Sequence, residues 1–377
     1  MGKGERQMKW MIVCMLLLSG CVQPRVLERQ GIITAAGFDK KGKLYEAGSV
    51  MLSFQTAGSS MSEVIEATNK TSKGIRQDLE AQTSHDLGSG QIRIVVYGKE
   101  LAEQEGIFPL TDTLQRDANI GSLVYLAIGE PNAKTVIKSK KHEDTPDIGT
   151  YLYRLIEKNL RSESLLAATL HEFIHSYYDI GKDPVLPCLS LRDDKPIIEK
   201  VALFRGDKFV GTVRLDESFY IKMLASEYNT GLKNITVSRD EVAPLLIKKK
   251  GKKVNIVMNE IRTKRKITLV SQKPAPHFRV TVKMQTEILE MSEKMKPIMQ
   301  ANVGILERAI EKQMKKEIEQ LLAKLKAYKT DPIGFGQIYD HSVRKLQLTD
   351  KQWLQLYEDA RMDIDVNVSI LRTGTID

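Results

Sequence analysis

Apolar runs and alternating apolar positions predict several strands in the first half of the chain. Gly31 to Phe38 and Leu44 to Phe54 are apolar-rich strand candidates, and the charged segment 39–43 between them predicts a hairpin turn. Shorter apolar runs predict two more strands, at Ile92 to Tyr97 and at Ser122 to Ile128. A sheet is therefore expected to begin close to the start of the fold.

Apolar residues at helical spacing separate these strands. They predict helices over Ser62 to Gln82, near Phe108 to Arg116 and over Ile148 to Tyr178. Pro131 predicts the first turn of a further short helix, where the missing N–H is not needed. The polar and charged segment Lys138 to Pro146 is expected to be an internal linker. Strands and helices are thus mixed throughout this half.

The second half has longer elements. Val201 to Gly211 predicts another hairpin, and Val254 to Val270 and Phe278 to Leu289 predict long strands. Gln300 to Tyr328 predicts a long helix with one apolar stripe, which is typical of a helix that packs on a sheet. The chain is expected to close on a strand at Asp363 to Leu371. Its inward-facing residues would be Ile364, Val366, Val368 and Ile370.

This order of elements predicts an α+β fold. We expect mixed strands and helices in an N-terminal region, and a C-terminal domain in which the long helix packs on an antiparallel sheet. The segment Asp193 to Pro196 is polar and contains a proline, so we expect a boundary there. The predicted division is a signal peptide at residues 1–20, an N-terminal domain at 22–195 and a C-terminal domain at 197–377.

The first residues predict export and lipid attachment. Lys3, Arg6 and Lys9 precede an apolar run of nine residues, Trp10 to Leu18. That run has the length of a signal-peptide core, and it is too short to span a bilayer, which needs about 20 apolar residues. Leu18-Ser19-Gly20-Cys21 follows with the pattern of a bacterial lipobox, in which the cysteine takes a diacylglyceryl group. An ordinary secretory signal and an uncleaved anchor are the alternatives.

A lipid on Cys21 would position the whole protein. Each buried methylene contributes about 0.8 kcal/mol to membrane binding, and two acyl chains hold a protein stably. We therefore expect Cys21 to hold the mature chain on the outer face of a membrane. No later segment has the roughly 18 consecutive apolar residues of a transmembrane helix.

Composition indicates a globular protein, because 42% of the residues are hydrophobic and 28% are charged. Much of the net charge of +9 comes from two basic runs, at 248–253 and 262–266. Such runs bind anionic headgroups or nucleic acid, or they form solvated loops and protected strand edges. Export argues against nucleic acid, and the solvated edge is the preferred interpretation.

Cysteine usage excludes an internal disulfide in the mature chain. Cys14 leaves with the signal and Cys21 carries the lipid, so Cys188 has no partner. We expect Cys188 to be a small buried residue rather than a catalytic thiol.

One motif has the form of a catalytic site. His171-Glu172-Phe173-Ile174-His175 matches the H-E-x-x-H pattern, in which two histidines one helical turn apart bind Zn²⁺ and the glutamate polarises a bound water. A catalytic zinc needs a third protein ligand, and none follows at an established spacing. Glu199 would have to reach the site across a proline-containing loop. We therefore expect no catalytic residue, metal or cofactor, and a zinc site at His171, Glu172 and His175 is the alternative.

Six segments carry a resemblance to a known family. They are the lipobox at Cys21, the first strand Gly31 to Asp39, the proline motif Asp183 to Pro187, the hairpin Ala202 to Gly211, the turn Asp331 to Gly336 and the ending Val366 to Gly374. In this order, over nearly the whole chain, they resemble the C subunits of bacterial spore germinant receptors, the Ger(x)C family of lipoproteins. The chain departs from the family at Val22-Gln23-Pro24, where many members have a Trp-Asp-like start.

The resemblance implies a receptor subunit at the inner membrane of a spore, beside two integral-membrane subunits, in a complex that responds to nutrients such as amino acids or sugars. It also implies an α+β fold without zinc. We therefore expect a non-enzymatic, lipid-anchored subunit that is needed for germination and has no nucleic-acid partner. A surface zinc metallopeptidase and a solute-binding lipoprotein of a transporter are the alternatives, and the latter needs a ligand cleft between two lobes.

Overall fold

The computed structural model describes residues 29–54, 60–142, 145–162, 165–166, 168–229, 231–247, 251–294, 300–343 and 348–373. Cys21, the signal peptide and part of the first basic run lie outside these residues. Within the described ranges, no helix is both long enough and apolar enough to cross a membrane.

Nine strands form the first sheet. They are β1 (Gln30–Lys41), β2 (Leu44–Phe54), β3 (Ser60–Asn69), β4 (Asp86–Gly88), β5 (Ile94–Gly98), β6 (Tyr125–Gly129), β7 (Val185–Arg192), β8 (Lys195–Arg205) and β9 (Lys208–Arg214). The order across the sheet is β3-β2-β1-β5-β6-β7-β8-β9, with β4 beside β1. The central strands β1, β5, β6 and β7 run parallel, and antiparallel hairpins extend the sheet on both sides.

Helices cover both faces of this sheet, as a parallel centre requires. They are α1 (Ser72–Glu80), α2 (Lys99–Gln104), α3 (Phe108–Gln115), α4 (Ala133–Ile137), α5 (Ile148–Arg161) and α6 (Leu170–Tyr178). Buried side chains of α1, α2, α3 and α6, such as Leu79, Leu101 and Phe173, pack on one face. Those of α4 and α5, such as Leu152, pack on the other face, and their core continues into the second sheet.

The second half supplies the other sheet. Its elements are α7 (Leu215–Ala225), β10 (Tyr228–Asn229), β11 (Lys233–Ser238), α8 (Arg239–Val242), β12 (Lys253–Ser271), β13 (His277–Met291), α9 (Gln300–Ala327), α10 (Phe335–Ser342), α11 (Asp350–Asp359) and β14 (Arg361–Thr373). The strand order is β10-β12-β13-β14, and β11 also pairs with β12. The apolar stripe of α9, including Ile310, Met314 and Ile318, is buried in the core with the inner face of β12 and β13.

The long helix also covers the edge of the second sheet. β14 is the last strand in the order, so its outer N–H groups have no strand to pair with. Glu311 Oε1 of α9 accepts a hydrogen bond of 2.9 Å from Val368 N, and Glu307 Oε1 accepts one of 2.9 Å from Ile370 N. Two carboxylates one helical turn apart therefore take the place of a neighbouring strand.

The predicted α+β fold is confirmed, and so is the long helix on a sheet. One detail of the sheet differs, because β14 pairs parallel with β13 rather than antiparallel. The chain travels through α9, α10 and α11 before it returns to the sheet, and such a crossover can place two strands side by side in the same direction.

The helix predicted over residues 62–82 is wrong in its first half. Residues 60–69 form β3, which pairs along its whole length with β2. Pairing with a long neighbouring strand overrode the local helical pattern, since strand formation depends strongly on context. The helix begins only after Thr71, whose side-chain oxygen accepts a hydrogen bond of 3.1 Å from Gly74 N and caps α1.

The segment predicted as a boundary is a tight hairpin turn. Arg192 pairs with Lys195, and the two residues between them, Asp193 and Asp194, have φ values of 51° and 64°. Aspartate tolerates this left-handed backbone, which two-residue hairpin turns require. The first sheet thus includes residues on both sides of the predicted boundary, and the domain division itself stays a prediction.

Candidate functional site at the junction of the two sheets

Three of the segments that carry the family resemblance meet at one point of the fold. Asp183 precedes β7, Gly206 lies in the turn between β8 and β9, and Asp331 follows α9. Gly206 N donates to Asp183 Oδ1 at 2.8 Å, and Asp331 N donates to Asp183 Oδ2 at 2.8 Å. Asp183 N in turn donates to the carbonyl oxygen of Asp331 at 3.0 Å. The carboxylate of Asp183 therefore ties the first sheet to the segment that follows the long helix.

The second carboxylate of the junction organises the turn into α10. Asp331 is 1% exposed. Its Oδ1 accepts a hydrogen bond from Gly334 N at 2.9 Å, and its Oδ2 accepts one from Gly336 N at 2.9 Å and one from Trp353 Nε1 at 3.1 Å. One buried side chain thus satisfies donors from the start of α10 and from α11.

Two glycines allow the chains to approach each other at the junction. A Cβ on Gly336 would lie 2.4 Å from the Cα of Gly181, and a Cβ on Gly181 would lie 2.5 Å from the Cα of Gly336. Backbone contact this close excludes any side chain at either position. Gly181 also has a φ of +78°, which glycine adopts without strain. The glycines of both segments are therefore required by packing.

Burial changes the acidity of both carboxyl groups. Loss of solvent raises the pKa of Asp331 to about 7 and that of Asp183 to about 6, although the backbone N–H donors favour the charged form. The negative charge of Asp183 raises the pKa of Asp331 further. Both groups therefore take up protons more readily in the folded protein than in the unfolded chain.

The junction is expected to make stability fall as the pH rises. Between the ordinary aspartate value of 3.8 and the raised values, the folded state binds more protons than the unfolded state, so each group lowers the unfolding free energy by about 1.4 kcal/mol per pH unit. Urea unfolding should therefore show a higher midpoint at pH 5 than at pH 8. Asp183→Asn should flatten this dependence, whereas the exposed control Asp365→Asn should not. An unchanged slope in Asp183→Asn would contradict the assignment.

An open cleft of about 500 Å³ lies beside the junction. Its walls include the start of β7, helices α6 and α7, and Pro332. His171, Glu172 and His175, the residues of the H-E-x-x-H motif, also line it, and the two histidine rings are 6.2 Å apart. The motif therefore lies on a helix with both histidines on one face, but the helix predicted over Ile148 to Tyr178 is two helices, α5 and α6, with a break after Arg161.

The glutamate of the motif has a structural role in this fold. Glu172 Oε2 accepts hydrogen bonds from Thr169 Oγ1 at 2.7 Å and from Thr169 N at 3.2 Å, while Glu172 N donates to Thr169 Oγ1 at 3.2 Å. This capping box starts α6. His175 Nδ1 lies 2.8 Å from Asp179 Oδ2, and Glu199 forms an ion pair with Arg192. No group of three or more potential metal ligands is found among the residues that the structure describes.

Two other residues singled out in the sequence lie in the core. Cys188 is buried on β7, and burial raises the pKa of its thiol to about 12, so the thiolate nucleophile is suppressed. Asp39, at the end of the first family-like segment, accepts hydrogen bonds of 2.8 Å from Ala133 N and Lys134 N and caps α4. Cys21, the predicted lipid site, lies outside the described residues.

The roles of Asp183 and Asp331 were not evident from the sequence. The sequence marks Asp183 to Pro187 as a break after a helix and both segments as parts of the family resemblance. One signal was available, because both aspartates precede a proline, in Asp183-Pro184 and Asp331-Pro332. Each proline lacks an N–H, which is typical of a chain segment that leaves regular pairing.

Comparisons with known proteins agree with this picture. A family described as "Spore germination protein N-terminal domain" matches residues 23–191, and one described as "Spore germination B3/GerAC like, C-terminal" matches residues 199–374. The fold and the junction define a two-sheet α+β protein in which buried carboxylates join distant segments of the chain. The chain belongs to the Ger(x)C family of spore germination proteins, and the resemblance that its segments carry is confirmed.

Relatives match over almost their whole length. Spore germination protein GerQC of Bacillus cereus is 20% identical over 369 residues, which cover 97% of this chain and 99% of that protein. Spore germination protein KC of Bacillus subtilis (strain 168) is 23% identical over 400 residues, with 97% and 94% covered. The crystal structure of the GerBC protein has a TM-score of 0.57 and 15% identity and covers 91% of this chain and 99% of its own, which shows a shared fold.

Proposed function

We propose that this protein is a non-enzymatic subunit of a nutrient germinant receptor, held on the spore inner membrane by a lipid on Cys21. The observation that carries the proposal is the family match over both halves, which spans residues 23–191 and 199–374. In this role the subunit stands beside two integral-membrane subunits and is needed for the response to small nutrients. It does not bind nucleic acid.

The hydrogen bonds of three carboxylates support a role without catalysis. The carboxylate of Glu172 accepts hydrogen bonds from Thr169 in the capping box of α6, so it is not free to polarise a water molecule. Asp183 and Asp331 bind backbone N–H groups across the junction. A peptidase at His171 would lose its glutamate to Thr169, so the receptor role is preferred over that alternative.

The proposal is tested in spores that lack this chain. We expect them to lose the response to one nutrient or nutrient mixture, measured as the fall in spore refractility, while a non-nutrient trigger still works. Re-expression of the wild-type chain and of His171→Ala should restore the response equally. The proposal is refuted if the deletion strain germinates normally with every nutrient that triggers germination of the parent strain. Stoichiometric zinc that is lost in His171→Ala would favour the peptidase.

A further inference from the structure

A hollow of about 100 Å³ lies between α1 and the first sheet. Its floor is formed by small side chains of β1 and β2, Ala36, Ala47 and Ser49, and Ala36 lies directly opposite Ser49 in the strand register. Larger side chains at these three positions would fill the space. Apolar side chains form the walls. They include Phe38, Ile75, Leu79, Ile92, Leu114 and Ile120.

The floor contains a polar group with no partner. Ser49 is 7% exposed and lines the hollow, and its hydroxyl makes no hydrogen bond to any residue that the structure describes. Its oxygen atom is not completely buried, because the hollow is open to solvent. The hydroxyl of Ser49 is therefore available to a polar atom that enters the hollow.

Charged side chains of both signs line the mouth of the hollow. Lys73 and Arg76 line it together with Asp117. Arg76 Nη1 lies 3.5 Å and Lys73 Nζ lies 3.8 Å from Asp117 Oδ2, which are long distances for ion pairs. Glu80 contacts Nε of Arg76 at 3.0 Å, and Arg76 also donates to Ser89 Oγ and to the carbonyl oxygen of Leu87, each at the long distance of 3.4 Å. Both cations can therefore turn toward a ligand carboxylate, which the planar guanidinium binds with two parallel N–H groups.

We propose that this hollow binds a small monocarboxylate with a compact aromatic or branched apolar body. The body lies under α1 against Phe38 and Leu79, and the carboxylate lies at the mouth beside Arg76 and Lys73. The volume limits the size: an apolar cavity of about 150 Å³ holds one benzene molecule, so only part of such a ring enters this smaller hollow, and the rest lies at its open mouth. A hydroxyl at the inner end of the ligand would reach Ser49.

The probes are benzoate, 4-hydroxybenzoate and the neutral benzyl alcohol, each titrated by calorimetry into the full chain held in lipid nanodiscs, with empty nanodiscs as the blank. We expect benzoate to bind more tightly than benzyl alcohol, and 4-hydroxybenzoate to bind most tightly. Arg76→Gln should weaken both carboxylates about tenfold, the effect of losing one charge-assisted hydrogen bond, and leave benzyl alcohol unchanged. Ser49→Ala should remove the advantage of 4-hydroxybenzoate over benzoate.

Ala47→Leu fills the hollow and should abolish binding of all three probes. Because this variant changes the core, its fold is checked by urea unfolding, and Arg76→Gln provides an independent test at a solvent-accessible position. The proposal is overturned if benzoate fails to bind at millimolar concentration, or if Arg76→Gln binds benzoate as the wild type does. The measurement uses the chain without partner subunits, so its failure would leave the proposed receptor role untouched.

Discussion

Cys21→Ala is expected to move the protein from the membrane fraction to the soluble fraction and to weaken nutrient-triggered germination. In the proposed role the lipid attaches through the thiol of Cys21, so the variant would lose every buried methylene that holds it, at about 0.8 kcal/mol each. Two acyl chains bind almost permanently, whereas the chain without them has no described helix that could span the bilayer. Fractionation followed by immunoblotting measures the shift.

Cys188→Ala is the matched control for this experiment. Cys188 is the free cysteine of the described part of the chain and is buried on β7, so its removal should leave the membrane fraction unchanged. Expression of each variant by itself in a bacterium that forms no spores removes any retention by partner subunits. Full membrane retention of Cys21→Ala under those conditions would refute the lipid anchor.

Asp331→Ala is expected to lower the unfolding free energy by about 4 kcal/mol or more. The substitution leaves the N–H groups of Gly334, Gly336 and Trp353 without their acceptor, and each buried donor that loses its partner costs about 1–3 kcal/mol. Natural proteins are stable by only about 5–15 kcal/mol. A large part of that margin would disappear, and the variant should accumulate poorly in spores.

Urea unfolding followed by tryptophan fluorescence measures this loss. Asp365→Ala is the control, because Asp365 is an exposed aspartate on β14 and should change stability little. Asp331→Asn keeps the shape and one acceptor oxygen, so its loss should be smaller than that of alanine. A stability change in Asp331→Ala no larger than in Asp365→Ala would show that the junction does not depend on this carboxylate.

The long elements could be predicted from the sequence because their patterns are long. The apolar stripe of α9 repeats from Leu306 to Leu325, and β12, β13 and β14 alternate over more than ten residues each. β3 could not be predicted, because its strand conformation depends on pairing with β2 rather than on its own composition.

The junction could not be predicted, since its hydrogen bonds join residues that are distant in the chain. Asp183 and Asp331 are 148 positions apart, and no local pattern specifies that contact. Glu172 is different. Thr169 stands three residues before it, and this T-x-x-E spacing is the signature of a capping box. The spacing could therefore have predicted the helix-capping role of Glu172, in addition to the match to the zinc-binding pattern.

The two glutamates on the edge of β14 affect how copies of this protein behave next to one another. Proteins confined to a membrane surface meet at high local concentration, and an open strand edge there would recruit strands from neighbouring copies. Glu307 and Glu311 occupy the N–H groups of Ile370 and Val368 that such pairing would use. On a membrane surface, where the proposed lipid anchor would hold them, copies of this chain can therefore remain individual molecules instead of pairing at this strand edge.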